Sequence, residues 1–188
     1  KVVLSGVGGD EVFGGYPWRY LRAFNYKNFE DYIDEYYLSW QRLVDNRDLK
    51  KMFKPIQKDV EHVWTRNIFK DIFKNYKKDL KKPEDFINHS LYFESKTFLH
   101  GLLVIEDKIS MAHSLETRVP FLDNDLVDFA MKCPVTLKIK DLTNKTKINE
   151  NDWSNKRLKY FQKTNDGKQI LREVMSKYIP ENIIKAKK

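Results

Sequence analysis

The sequence predicts a mainly α-helical chain opened by one short strand. Three observations carry that reading. The β-branched, apolar run Val2-Val3-Leu4 has the composition of a strand. A Gly-rich turn follows at once, with five of the seven glycines falling between Gly6 and Gly15. Beyond it, apolar residues recur at helical spacing, and Asn or Pro stands where helices would open.

Asn28 is placed to cap a helix from about residue 29 to 45, with Asp31 as an acidic first-turn residue. Tyr32, Tyr36, Trp40 and Leu43 share one face of it and read as core. Pro55 opens a second predicted helix, running to about Tyr76 with Ile56, Val60, Val63, Trp64, Ile68 and Ile72 as its apolar face. Pro83-Glu84-Asp85 opens a third helical stretch toward Ile105, apolar enough to be central and well buried. A short helix is expected from Asp125 to about Met131, ended before Pro134. Residues 140–166 are polar, with Trp153, Leu158, Tyr160 and Phe161 as the apolar exceptions, and read as a long loop or insertion. A last amphipathic helix is expected from Lys168 to about Tyr178, closed by Pro180.

At 188 residues the chain is one domain, or most of one. Its opening residues read as strand interior, as in a piece of a longer protein. A charged fraction of 33% beside 41% hydrophobic residues fits a packed globule rather than a disordered chain. No apolar run approaches membrane-spanning length, and no signal-peptide pattern opens the sequence. The lone Cys133 lies in an apolar stretch and reads as a buried thiol of a cytoplasmic protein. The four histidines are scattered, without zinc-ligand spacing. The net charge of +8 admits a basic helical nucleic-acid-binding module as the competing class. Against it, no basic segment carries the interleaved aromatics that stack bases.

The chemistry concentrates at the start. Gly-rich turns let a backbone approach a ligand and aim N–H groups at it. Asp10 and Glu11, just beyond, suit a hard cation such as Mg²⁺. Strand, turn and acids together suggest a nucleotide-phosphate site.

Three segments then read together. SGVGGDEVFGGYP at 5–17, EDKISMAHSLETRVPFLD at 106–123 and GKQILRE at 167–173 resemble, in order, three signatures of the glutamine-hydrolysing asparagine synthetase family. The resemblance implies the C-terminal part of an α/β adenine-nucleotide-binding domain of the PP-loop ATP pyrophosphatase type. It implies use of ATP and Mg²⁺ to adenylate a carboxylic acid, followed by attack of glutamine-derived ammonia on the acyl-adenylate. The family's upstream pyrophosphate loop and its N-terminal glutaminase domain lie outside these residues, so the chain is expected to be a partial, inactive synthetase domain. A homodimer is carried as an expectation.

Residue by residue, the resemblance makes Ser5 and Gly6 ATP contacts and Asp10 the acid that holds Mg²⁺-pyrophosphate. Lys168 becomes the cation that stabilises the adenylation transition state. Glu11 is implied as a substrate contact or as support for one. Glu116 and Arg118 are either an ion-pair scaffold or substrate contacts. Asp107, Lys108 and Asp123 lean structural, and Ser110-Met111-Ala112 are expected to pack on the Gly-rich turn. Each site residue has a plainer reading: Ser5 or Asp10 as a helix cap, Lys168 as an ordinary first-turn lysine. One departure stands out: Val7 occupies the position where asparagine synthetases usually carry Glu. Valine can neither take a proton nor bond an amine, so either the base comes from elsewhere or the acceptor is a carboxylate other than aspartate, such as a polysaccharide precursor.

Overall fold

Residues 1–40, 46–76, 80–141 and 167–186 are described by the computed structural model of the chain. Two strands occur among them, Val2–Leu4 (β1) and Glu116–Arg118 (β2). They pair in parallel, with Val2 opposite Glu116, Val3 opposite Thr117 and Leu4 opposite Arg118. Nothing in Glu116-Thr117-Arg118 announces a strand; pairing with β1 makes it one.

The rest is helical. Gly9–Phe13 (α1) and Pro17–Tyr20 (α2) follow the turn, then a 3₁₀ segment at Leu21–Asn25 and Phe29–Trp40 (α3). Asn46–Met52 (α4), Gln57–Val60 (α5) and Thr65–Asp71 (α6) are short. Pro83–Lys96 (α7) and Phe98–Ala112 (α8) are long. Asn124–Lys132 (α9), Val135–Lys138 (α10), Gln169–Met175 (α11) and Glu181–Ile184 (α12) complete the described chain.

The helix starts obey the local chemistry. Asn28 Oδ1 accepts from the Asp31 N–H at 3.0 Å, and Asp31 Oδ2 accepts from Lys27 N–H at 2.9 Å. Pro83 sits in the first turn of α7, whose Asp85 reaches back to the N–H groups of Lys81 and Lys82, both at 2.9 Å. Asp123 caps α9 by accepting from Asp125 and Leu126 N–H.

The core is aromatic. Tyr32 and Tyr36 are fully buried and stack at 5.2 Å, as their spacing predicts; Trp40 packs at the margin, and Leu43 lies outside the described residues. Phe69 of α6 meets Phe93 of α7 at 4.4 Å, with Phe73 and Phe86 beside them. A second cluster joins Val12 and Phe13 of α1 to Ala130, Phe121, Leu122, Ile170 and Leu171. It ties the three signature segments into one body.

Three expectations fail. The predicted helix from Pro55 to Tyr76 is broken, because Trp64 is extended (φ −107°, ψ 106°) after a helix-poor His-Val-Trp run. Ile56, Val63, Trp64 and Ile68 are exposed, and Phe69 and Phe73 face inward instead. The stretch from Pro83 toward Ile105 divides at Thr97, which leaves helical geometry while its hydroxyl donates to the Phe93 carbonyl at 2.7 Å. Its first half, α7, is the buried helix; of α8 only Leu99 is buried, and Val104, Ile105 and Ile109 face solvent. Pro180 does not close the last helix: α11 ends at Met175, and Pro180 precedes α12. Cys133 is buried, as expected. Of the predicted insertion, residues 142–166, with Trp153, Leu158, Tyr160 and Phe161, lie outside the described residues.

Candidate active site

The Gly-rich turn begins where β1 stops. Ser5 N–H donates to the Arg118 carbonyl at 2.8 Å, extending the ladder one step. Ser5 Oγ accepts from Val7 N–H at 3.3 Å, so Ser5 shapes the turn rather than capping α1. Gly6 is exposed, and a Cβ there would meet nothing within 4 Å. Gly8 opens α1 with φ +93°, and a Cβ on it would fall 2.4 Å from Leu122 Cδ2. Gly9 packs over Phe121 more loosely, a Cβ there standing 3.3 Å from the ring. The turn thus rests on the Pro120-Phe121-Leu122 turn, not on Ser110-Met111-Ala112, of which Met111 and Ala112 are exposed. The bulky apolar pair fills the space that the missing glycine side chains leave.

Asp10 sits inside the first turn of α1, whose N-cap is Gly8, so the capping reading of Asp10 does not hold. After α1 the chain reverses through Gly14 (φ +69°) and Gly15. Gly15 N–H donates to the Asp10 carbonyl at 2.7 Å, and a Cβ on Gly15 would stand 1.8 Å from Asp10 Oδ1. On the other side, a Cβ on Gly167 would stand 2.5 Å from the Gly14 carbonyl oxygen. Lys168 N–H donates to the Phe13 carbonyl at 3.2 Å.

Lys168 precedes α11 with left-handed backbone (φ +58°), rather than lying in its first turn. A lysine in that region is strained by about 1 kcal/mol. Arg172 pins the segment: its Nε donates to the Gly167 carbonyl at 3.0 Å and Nη1 to that of Ile184. The result is that Lys168 Nζ stands 2.8 Å from Asp10 Oδ1, with both side chains about three-quarters buried.

Glu11 does not share this site. It is 2% exposed and turned inward, where its Oε1 accepts from the Tyr16 hydroxyl at 3.1 Å. It borders a small cavity of about 30 Å³ with Asn88, Ser95 and the buried Lys138. Burial pulls the Lys138 ammonium below its ordinary pKa. Glu116 and Arg118 project from one face of β2 and form an exposed ion pair at 2.9 Å. Asp107 and Lys108 are exposed on α8.

A cluster that the sequence reading missed lies behind the turn. Glu94 of α7 is fully buried, accepting from Tyr20 at 2.7 Å and Tyr36 at 3.2 Å, with Arg19 Nη1 at 3.4 Å. Burial outweighs these partners and pushes the Glu94 carboxyl up to about 7. Arg19 lies 4.1 Å over the Tyr16 ring and is flanked by Trp40 and Phe98. The signal for it was a single acid on the apolar side of α7, next to Leu91 and Phe93. A concavity of about 820 Å³ lined by Leu49, Phe53, Val60 and Trp64 lies on other elements and holds none of these groups.

Residues 1–188 match the family described as asparagine synthase over their whole length. The chain belongs to the asparagine synthase family. It is similar to the putative asparagine synthetase [glutamine-hydrolyzing] 1 of Methanocaldococcus jannaschii, at 27% identity over 97% of this chain and 25% of that protein. It is also similar to two Bacillus subtilis proteins. Asparagine synthetase [glutamine-hydrolyzing] 1 is 28% identical over 77% of this chain and 26% of its own length. Asparagine synthetase [glutamine-hydrolyzing] 3 is 27% identical over 100% and 25%. The chain therefore spans about a quarter of the length of these relatives. No solved structure matches it.

The residues around the turn offer one carboxylate to a nucleotide-bound metal. Among the described residues no group of three or more His, Cys, Asp or Glu side chains could hold a metal ion alone. Asp10 is one carboxylate beside an open glycine turn, and Mg²⁺ commonly takes one or two protein carboxylates, with substrate phosphates and water completing its shell.

Proposed function

We propose that this chain is the C-terminal part of a single synthetase domain that amidates a carboxylate at the expense of ATP. The reading extends to an α/β PP-loop fold to which β1 and β2 contribute, to ammonia drawn from glutamine by a glutaminase domain of the full-length protein, and to a cytoplasmic location. The observation that carries it is the Asp10–Lys168 pair, which joins the first and third signature segments at 2.8 Å over glycine-only contacts.

In this reading the acceptor carboxylate oxygen attacks the α-phosphorus of ATP and pyrophosphate leaves. Ammonia then attacks the acyl carbon, loses a proton, and AMP leaves. Ser5 and Gly6 border the nucleotide at the open edge of the turn. Asp10 would hold Mg²⁺, which supplies charge neutralisation at the phosphates. Lys168 places a cation where negative charge develops on the leaving pyrophosphate, and its pairing with Asp10 keeps the ammonium in place before substrates arrive. Glu11, being buried, supports α1 instead of touching substrate.

A second reading concerns the acceptor alone. Val7 gives the turn an apolar side chain where asparagine synthetases usually place Glu, which favours an acid other than aspartate. One assay tests both readings: full-length protein with glutamine, ATP, Mg²⁺ and a panel of carboxylic acids that includes aspartate. AMP and pyrophosphate release that depends on one acid is expected; none with any acid overturns the synthetase reading. Release with aspartate as the best acceptor removes the second.

A further inference from the structure

We infer that Tyr16 and Arg19 are positioning residues that hold the Asp10–Lys168 pair together. This rests on the synthetase reading and extends it to groups that touch neither nucleotide nor acid. The Gly14–Gly15 loop lies between Asp10 and the Gly167–Lys168 backbone. Gly15 leaves no room for a Cβ beside Asp10 Oδ1, and the Gly14 carbonyl leaves none beside Gly167. Any shift of this loop must therefore change the distance between Lys168 Nζ and Asp10 Oδ1.

What fixes the loop is the residue that follows it. The Tyr16 hydroxyl donates to Glu11 Oε1 at 3.1 Å, closing the reversal from α1 back onto α1. Burial, then the charges of Glu11 and Asp10, push the Tyr16 phenol well up, so it stays protonated and donating. The Tyr16 ring is held in turn by the Arg19 guanidinium at 4.1 Å from its centroid. Tyr16 also packs edge-on against Trp18 and Phe98, at 5.7 and 6.2 Å. Arg19 is anchored by Glu94, itself gripped by Tyr20 and Tyr36 in the aromatic core. The chain Glu94–Arg19–Tyr16–Glu11 thus runs from the buried aromatic core to the helix that bears Asp10.

The test uses the full-length protein and compares Tyr16→Phe in the wild-type and Lys168→Met backgrounds. Tyr16→Phe keeps the ring and the Arg19 contact and removes only the hydroxyl. In the wild-type background it should lower kcat for pyrophosphate release at least fivefold, with KM for ATP within twofold and the thermal midpoint within about 3 °C. In the Lys168→Met background it should cost less than twofold, because the pair it serves is already gone. An equal fold loss in both backgrounds, or no loss in the first, overturns the proposal while leaving the synthetase reading intact. Arg19→Lys keeps the charge beside Glu94 but loses the planar stack, and should repeat the pattern. Absence of pyrophosphate release from the wild-type protein removes the synthetase reading and this proposal with it.

Discussion

Lys168 Nζ lies 2.8 Å from Asp10 Oδ1, and the lysine reaches that position from a left-handed backbone that glycine would adopt without strain. Strain and chemistry can therefore be separated at one residue. Lys168→Gly should leave stability within about 1 kcal/mol of the wild type, since relief of strain offsets loss of a partly buried ion pair. Pyrophosphate release should fall by about 100-fold or more. Thermal denaturation and a pyrophosphate assay on full-length protein check the two halves.

Asp10→Asn keeps the shape and removes the charge. Turnover should be lost to a similar extent, and raising Mg²⁺ should not restore it. Retained turnover refutes the metal-holding role.

Gly15→Ala should act on Asp10 without touching it chemically. The new methyl would stand 1.8 Å from Asp10 Oδ1 and 2.5 Å from its Cγ, so the carboxylate must swing away. Activity should drop at least tenfold, with a stability loss of about 1–3 kcal/mol from overpacking. A crystal structure of the variant should show the Asp10–Lys168 distance beyond 4 Å.

Gly8→Ala tests the docking of the first two signature segments. The alanine would carry a positive φ and fall 2.4 Å from Leu122 Cδ2. A destabilisation of about 2–4 kcal/mol is expected, the sum of a left-handed alanine and a core clash. Combining it with Leu122→Ala should cost less than the two single losses added, as read from denaturant midpoints.

Glu94 gives the protein a pH dependence with a definite sign. Its carboxyl is raised from 4.5 to about 7 in the folded state. The native protein therefore holds a proton that the unfolded chain releases between those values. The contribution to stability is complete below pH 4.5, declines as pH rises, and is gone above about pH 7, a change of about 3 kcal/mol. Thermal midpoints of wild type and Glu94→Gln measured across that range should show the slope in the first and its loss in the second.

The sequence made some of this legible and concealed the rest for physical reasons. Asn28 and Pro83 mark helix starts because a cap acts over three residues, within reach of local reading; that Asp123 caps α9 emerged only from the structure. The aromatic face of α3 was legible because Tyr32 and Tyr36 point one way whatever packs on them. The run from Ile56 to Ile72 misled because apolar spacing does not say which side meets the core; Phe69 and Phe73 won that place by meeting Phe93. The signatures singled out Asp10 and Lys168 one at a time, and only the fold brings the two together. The inward turn of Glu11 was not, because adjacent helical residues diverge by about 100° and only the packed structure decides which one faces out. Glu94 and Arg19 escaped because their partners come from α2, α3 and α7 and share no local pattern.

The small parallel sheet has a practical consequence. Val2, Val3 and Leu4 are 55, 44 and 71% exposed, and Ile105 and Ile109 of α8 are 59 and 60% exposed. Parallel strands are ordinarily covered on both faces, and an uncovered apolar strand recruits others of its kind. Expressed by itself, this polypeptide should be poorly soluble and self-associating, and charged replacements at Val2 and Leu4 would be the first remedy for anyone seeking to purify it.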